Sequence, residues 1–224
     1  MAPQPIDLYL GNDLRVSGLI ERPANARALF LMAHGAGAGM RHVFLGNVSA
    51  ALAERGVASL RYQFPYMEQN GRRPDPPALC HTTVRAAVAW AGEFEPALPL
   101  IAGGKSFGGR MTSQAQALDP LPGVRGLAFL GFPLHPPQKP SLARADHLSE
   151  VLIPMLFLQG TRDALADIGL IGQVIERLGA RASLTPIDAA DHAFHVLARS
   201  GRTDADVLHQ LADVLSAWVD SVVR

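Results

Sequence analysis

The chain has 224 residues, 48% of them apolar and 18% charged, which excludes a disordered or coiled-coil protein and suits one compact domain spanning 1–224. Twenty basic residues cancel twenty acidic ones, so no basic excess points to nucleic acid as a partner. A lone cysteine, Cys80, a start without a signal-peptide pattern, and apolar runs far short of the roughly 20 residues of a membrane span imply a cytoplasmic protein that does not engage the membrane.

Short apolar runs alternate with amphipathic stretches along the chain. Residues 8–10 and 16–20 flank Gly11-Asn12-Asp13, a hairpin signal. Residues 28–32, 57–62, 98–102, 124–130, 154–159 and 182–187 have the length and apolarity of strands buried on both faces, as in a parallel sheet. Helical patterns fill the intervals at 43–55, 79–94, 106–118 and 168–178. The last segment places Val207, Leu211, Val214, Trp218 and Val222 on one stripe, with Thr203 and Asp206 as a capping-box-like start. A strand pair followed by repeated βα units predicts a three-layer α/β fold with a mostly parallel sheet. Two proline-rich connections, 64–77 and 131–149, show no periodic pattern and read as long ordered loops bordering a ligand crevice.

Chemistry concentrates at Gly104-Lys105-Ser106-Phe107-Gly108, a G-x-S-x-G between a predicted strand and a predicted helix. A serine on so sharp a turn stands clear of the sheet, provided the flanking residues are small enough for backbones to pass. A phosphate-binding reading of Gly104-Lys105-Ser106 fails because its first glycine would fall at Pro99. A dinucleotide reading of Gly35-Ala36-Gly37-Ala38-Gly39 fails on spacing, so no cofactor is expected. A serine nucleophile needs a base and an orienting acid, in the chain order Ser, Asp, His on this fold. Asp163 follows one predicted strand and His192 another, both at the sheet edge that carries Ser106. His195, three residues on, invites a metal reading that lacks a third ligand, so none is expected. His209 reads as helix surface, Cys80 as a small buried apolar group, and Lys105 and Arg110 as partners in structural salt bridges. The N–H of Phe107, at a helix start, and that of Ala36 are the expected oxyanion donors.

With these residues in place, the sequence resembles the α/β-hydrolases. More narrowly it is similar to the small dienelactone-hydrolase-like group that includes the testis-expressed hydrolase-like protein and subunit 3 of the non-specific-lethal chromatin complex. The shared marks are His34-Gly35-Ala36-Gly37, Phe64-Pro65-Tyr66-Met67-Glu68, residues 103–111, residues 131–137, residues 159–163 and Asp191-His192. The resemblance implies a Ser106–His192–Asp163 triad and no separate lid domain, the stretch 131–150 being too short for one. Dienelactone hydrolase itself carries a cysteine nucleophile, so lactone specificity does not transfer. Gly35, Tyr66, Arg72 and His135 are the candidate substrate contacts. The expected partner is a small acyl compound, an ester or thioester; an interaction module without turnover and an acyltransferase are the second readings.

Overall fold

The structure, a computed structural model, describes residues 2–11 and 13–223; Met1 and Asn12 of the predicted hairpin turn lie outside the described residues. Eight strands form one sheet: β1 (Gln4–Gly11), β2 (Leu14–Glu21), β3 (Ala28–Ala33), β4 (Val57–Tyr62), β5 (Leu100–Lys105), β6 (Val124–Leu130), β7 (Met155–Gly160) and β8 (Ala182–Ile187). Their spatial order is β1-β2-β4-β3-β5-β6-β7-β8. β1 pairs antiparallel with β2 and β2 with β4, while every later pair is parallel. The fold is therefore the predicted one, a mostly parallel sheet with an antiparallel hairpin at its start.

Alternating side chains of β3 show why this sheet needs helices on both faces. Leu29 and Leu31 join a core formed with Val84, Met111 and Ile171, whereas Phe30 and Met32 join one formed with Leu45, Leu52 and Leu215. The first core is covered by α3 (Pro77–Phe94), α4 (Phe107–Leu118) and α5 (Ile168–Leu178), the second by α1 (Val43–Ala53) and α6 (Asp204–Val223). α6 opens on a reciprocal cap: the Thr203 N–H and hydroxyl donate to the Asp206 carboxylate at 2.8 and 2.7 Å, and the Asp206 N–H donates back at 3.2 Å.

Three expectations are corrected. β5 starts at Leu100, not at residue 98, and runs on through Gly103 and Gly104 to Lys105, because Pro99 cannot donate to a ladder. β8 is not buried on both faces; it is the outer edge strand, half-exposed, with Pro186 placed where a missing N–H costs little. The two long loops carry structure of their own. Pro65 sits at the first position of the short helix α2 (Pro65–Glu68), Pro77 starts α3 two residues earlier than predicted, and residues Ala143–Glu150 form a 3-10 helix. Among the described residues no helix is long and apolar enough to cross a membrane.

The chain leaves β3 toward β4 on one side and returns across it to β5, after which β6, β7 and β8 extend the other way. The strand order thus reverses between the carboxyl ends of β3 and β5. An open α/β sheet forms its ligand crevice at that point, because the connections diverge there.

Candidate active site

The end of β5 takes a path open only to glycine. Gly103 has φ +151° and Gly104 φ +140°; a Cβ would lie 1.9 Å from the Ala128 carbonyl oxygen at the first and 2.1 Å from that of Ala33 at the second. Neighbouring strands therefore close on the backbone, and the chain turns at once into α4. Ser106 occupies the turn at φ 51°, ψ −118°, a conformation costing about 1–3 kcal/mol for a residue with a side chain. Gly108 follows for the same steric reason, since a Cβ there would meet the Ala33 and His34 carbonyl oxygens at 2.5 Å.

Three side chains distant in sequence meet above this turn. The Ser106 hydroxyl lies 2.8 Å from His192 Nε2, and His192 Nδ1 lies 2.7 Å from Asp163 Oδ2. A carboxylate only accepts, so Nδ1 carries the imidazole proton and Nε2 is left to accept from Ser106. Asp163 is buried and held from two other directions, accepting from Gln159 Nε2 at 2.6 Å and from the Leu165 N–H at 2.7 Å.

The histidine-bearing turn is fixed by Asp191, whose carboxylate accepts from the Ala193 and His195 N–H groups at 2.8 and 3.0 Å. His195 faces away from His192, with Nδ1 2.9 Å from Asp204 Oδ2. Among the described residues Lys105 makes no salt bridge, contrary to expectation. Its ammonium donates to the His192 carbonyl at 2.5 Å and lies 5.2 Å from the centre of the Phe194 ring. Burial pulls its pKa down to about 8, against the opposing pull of Asp163 and Asp191. Arg110 likewise pairs with no carboxylate among the described residues and covers the Phe107 ring at 5.8 Å.

A loop after β3 forms the facing wall. The Gly37 N–H donates to the Tyr66 hydroxyl at 3.0 Å, that of Ala38 to the Gly35 carbonyl at 3.2 Å, and that of Met40 to Gln63 Oε1 at 2.8 Å. His34, fully buried, anchors the loop base: its Nε2 accepts from the Phe64 N–H at 3.0 Å, so Nδ1–H donates to the Gly35 carbonyl at 2.8 Å. Burial pushes its pKa down to about 4, opposed by the Gly35 bond.

A pH dependence of stability follows. Below pH 6.5 the unfolded chain takes up a proton at His34 that the folded chain refuses until about pH 4. Stability is therefore full above pH 6.5 and drains as pH falls through that window, by about 3 kcal/mol at its lower end. His147, lowered to about 4 by burial and then by Arg110, acts with the same sign. Denaturant titrations between pH 7 and 4 should show a smaller acid loss in His34→Gln than in the unaltered chain. Equal losses would remove His34 as a cause.

Between these walls lies a cavity of about 350 Å³ lined by Gly35, Ala36 and Ala38, by Ser106, Lys105 and His192, and by His42, Phe44, Leu45, Leu165 and Ala193. Phe107 is the first residue of α4, where N–H groups have no preceding turn to bond. Of the predicted substrate contacts, Gly35 lines this cavity, as does the predicted oxyanion donor Ala36, and Tyr66, Arg72 and His135 do not. Tyr66 is buried behind the loop after β3; His135 is buried too, 2.9 Å from the Pro136 carbonyl and accepting from the Asp167 N–H at 3.0 Å; Arg72 is exposed. Gln159 and His34 have no role assigned from sequence, and Lys105 has only that of a salt-bridge partner. A polar residue at the carboxyl end of an otherwise apolar strand, as Gln159 is in β7 and His34 is just after β3, is the signal that marks two of them.

Both the sheet order and the strained serine turn are those of the α/β-hydrolase fold. The chain belongs to the alpha/beta hydrolase domain family, whose model matches residues 26–220. It is similar in structure to dienelactone hydrolase from Anabaena variabilis, with TM-score 0.77 and 21% identity over 100% of both chains. It is similar also to an α/β serine hydrolase without lid from Xanthomonas campestris, with TM-score 0.75 and 19% identity over 97% of this chain and 95% of that one. An esterase domain from Rhodothermus marinus matches at TM-score 0.75 and 18% identity over 100% of both chains.

Proposed function

We propose that the protein is a serine hydrolase of small acyl compounds, esters or thioesters, acting through an acyl-enzyme. One observation carries this reading: Ser106, His192 and Asp163 form an unbroken hydrogen-bonded chain beside a cavity at the switch point of the sheet. Dienelactone hydrolase and esterase structures of the same fold support it.

Ser106 Oγ attacks the acyl carbonyl as His192 Nε2 takes its proton. Asp163 holds Nδ1–H and stabilises the imidazolium. The main-chain N–H groups of Ala36 and Phe107 receive the charge on the carbonyl oxygen; Ala36 lies beside Ser106 in the cavity wall, while the neighbouring Gly37 and Ala38 donors are engaged within the protein. His192 then protonates the departing alcohol or thiol, and water, activated by the same imidazole, releases the acid. Lys105 acts through His192 as a positioning residue, tying its carbonyl to the serine turn. Cys80, buried and pushed up to about 12 chiefly by that burial, stays a thiol and takes no part in the chemistry.

A fluorophosphonate probe tests the assignment directly, because it reacts only with an activated serine hydroxyl. Peptide mapping should place the label on Ser106, and Ser106→Ala should abolish it. A folded protein left unlabelled at neutral pH would overturn the reading.

A further inference from the structure

The direction of proton transfer divides the cavity. His192 Nε2 must pass its proton to the departing oxygen or sulfur, so that half of the substrate lies on the His192 side of the reacting carbon, while the carbonyl oxygen turns toward Ala36. On the His192 side the wall is carbon: Ala193, Leu165 and the Phe44 ring, which stacks on Phe194 with centroids 5.6 Å apart and planes 8° from parallel. Phe44 also borders a second cleft of about 380 Å³ with Phe194 and Leu208, so apolar surface continues outward.

Most polar groups nearby have partners within the protein, and the one cation on the wall, Lys105, keeps its charge uncompensated by any salt bridge among the described residues. Lys105 donates to the His192 carbonyl, Asp163 holds His192, His42 Nδ1 accepts from the Phe44 N–H at 3.3 Å, and His195 is paired with Asp204 in the second cleft. A cationic leaving group would lose water there beside the Lys105 ammonium without gaining a partner, whereas a hydrocarbon chain gains from burial.

We propose that the leaving-group half of the substrate is an uncharged apolar alcohol or thiol seated against Phe44 and Ala193, and that this half sets selectivity. The inference rests on the serine-hydrolase reading and adds to it which half of the substrate is recognised.

Two ester series test it: acetates of methanol through hexanol, and methyl esters of acetic through hexanoic acid. In the alcohol series kcat/KM should rise about two- to fourfold per methylene over the first few carbons, as expected for burying each CH₂. The acid series should be flatter, and an acetate whose alcohol ends in ammonium should fall at least tenfold below its methyl-ended counterpart. Phe44→Ala should flatten the alcohol slope and Phe44→Leu restore most of it, a ratio that a general loss of folded protein leaves unmoved. A steep acid series beside a flat alcohol series, or an alcohol slope unchanged in Phe44→Ala, would overturn the inference. Binding reads the cleft apart from turnover: 1-hexanol added to Ser106→Ala should shift NMR resonances of Phe44 and Ala193, and no shift there would also overturn it. Failure of every ester with hexanol still bound at Phe44 would count against the hydrolase reading alone.

Discussion

Replacing Ser106 by alanine is expected to lower kcat on any turned-over ester by a factor of about 10⁴ to 10⁶, with little change in fold. The size follows from what the hydroxyl does: without it no acyl-enzyme forms, and only cavity binding and the N–H donors remain to assist attack by water. Stability should change little. Ser106 has φ 51° and is only half-buried, so its side chain adds no core contact that alanine would forfeit, while its Oγ ends one hydrogen bond, to His192. The decisive measurement is a set of three variants. Ser106→Ala, His192→Ala and the double variant should have nearly equal kcat, because residues that act as one relay do not contribute additively. Independent losses that multiply in the double variant would mean that the 2.8 Å contact between them is not used in turnover.

Groups whose signal is local are legible in the sequence, and groups whose partner is distant are not. The stripe of α6 and the Thr203–Asp206 cap are visible because a helix repeats within a few residues. Ser106 is visible because a strand, two small residues and a helix must follow one another for such a turn to close. Gln159 and His34 are different. Each lies at the carboxyl end of an apolar strand, and only the fold reveals that one meets Asp163 four residues later and the other the Phe64 N–H thirty residues away. Lys105 reads as a salt-bridge partner because sequence does not show that the carbonyl of His192, 87 residues on, closes over it. Tyr66 and His135 sat in the right loops, but their polar atoms are spent on Gly37 and Asp167, behind the cavity wall. The loops themselves hid their order because proline breaks periodicity while starting helices, as Pro65 and Pro77 do.

Gly103→Ala is expected to remove most or all of the folding free energy, a loss above about 4 kcal/mol where such proteins hold 5–15 in total. Two costs coincide at this position. The backbone sits at φ +151°, which an L side chain rarely adopts, and the added methyl would stand 1.9 Å from the Ala128 oxygen and 2.8 Å from its carbonyl carbon. Neither neighbour can give way cheaply, because Gly103 pairs with Ala128 on one side and with Met32 on the other, in the middle of the parallel sheet. Gly172→Ala is the matching control: it lies inside α5 with nothing within 4 Å of the new methyl, and alanine there should stabilise the protein by up to about 1 kcal/mol. Thermal melts followed by circular dichroism should therefore show Gly172→Ala melting at or above the parent, and Gly103→Ala without a cooperative transition or melting far below it. A Gly103→Ala protein that melts like the parent would mean that β5 can shift away from β6. The sharp entry into the Ser106 turn would then be imposed by α4 and the loop after β3, through Gly108 and the Ala33 and His34 carbonyls, and not by the sheet.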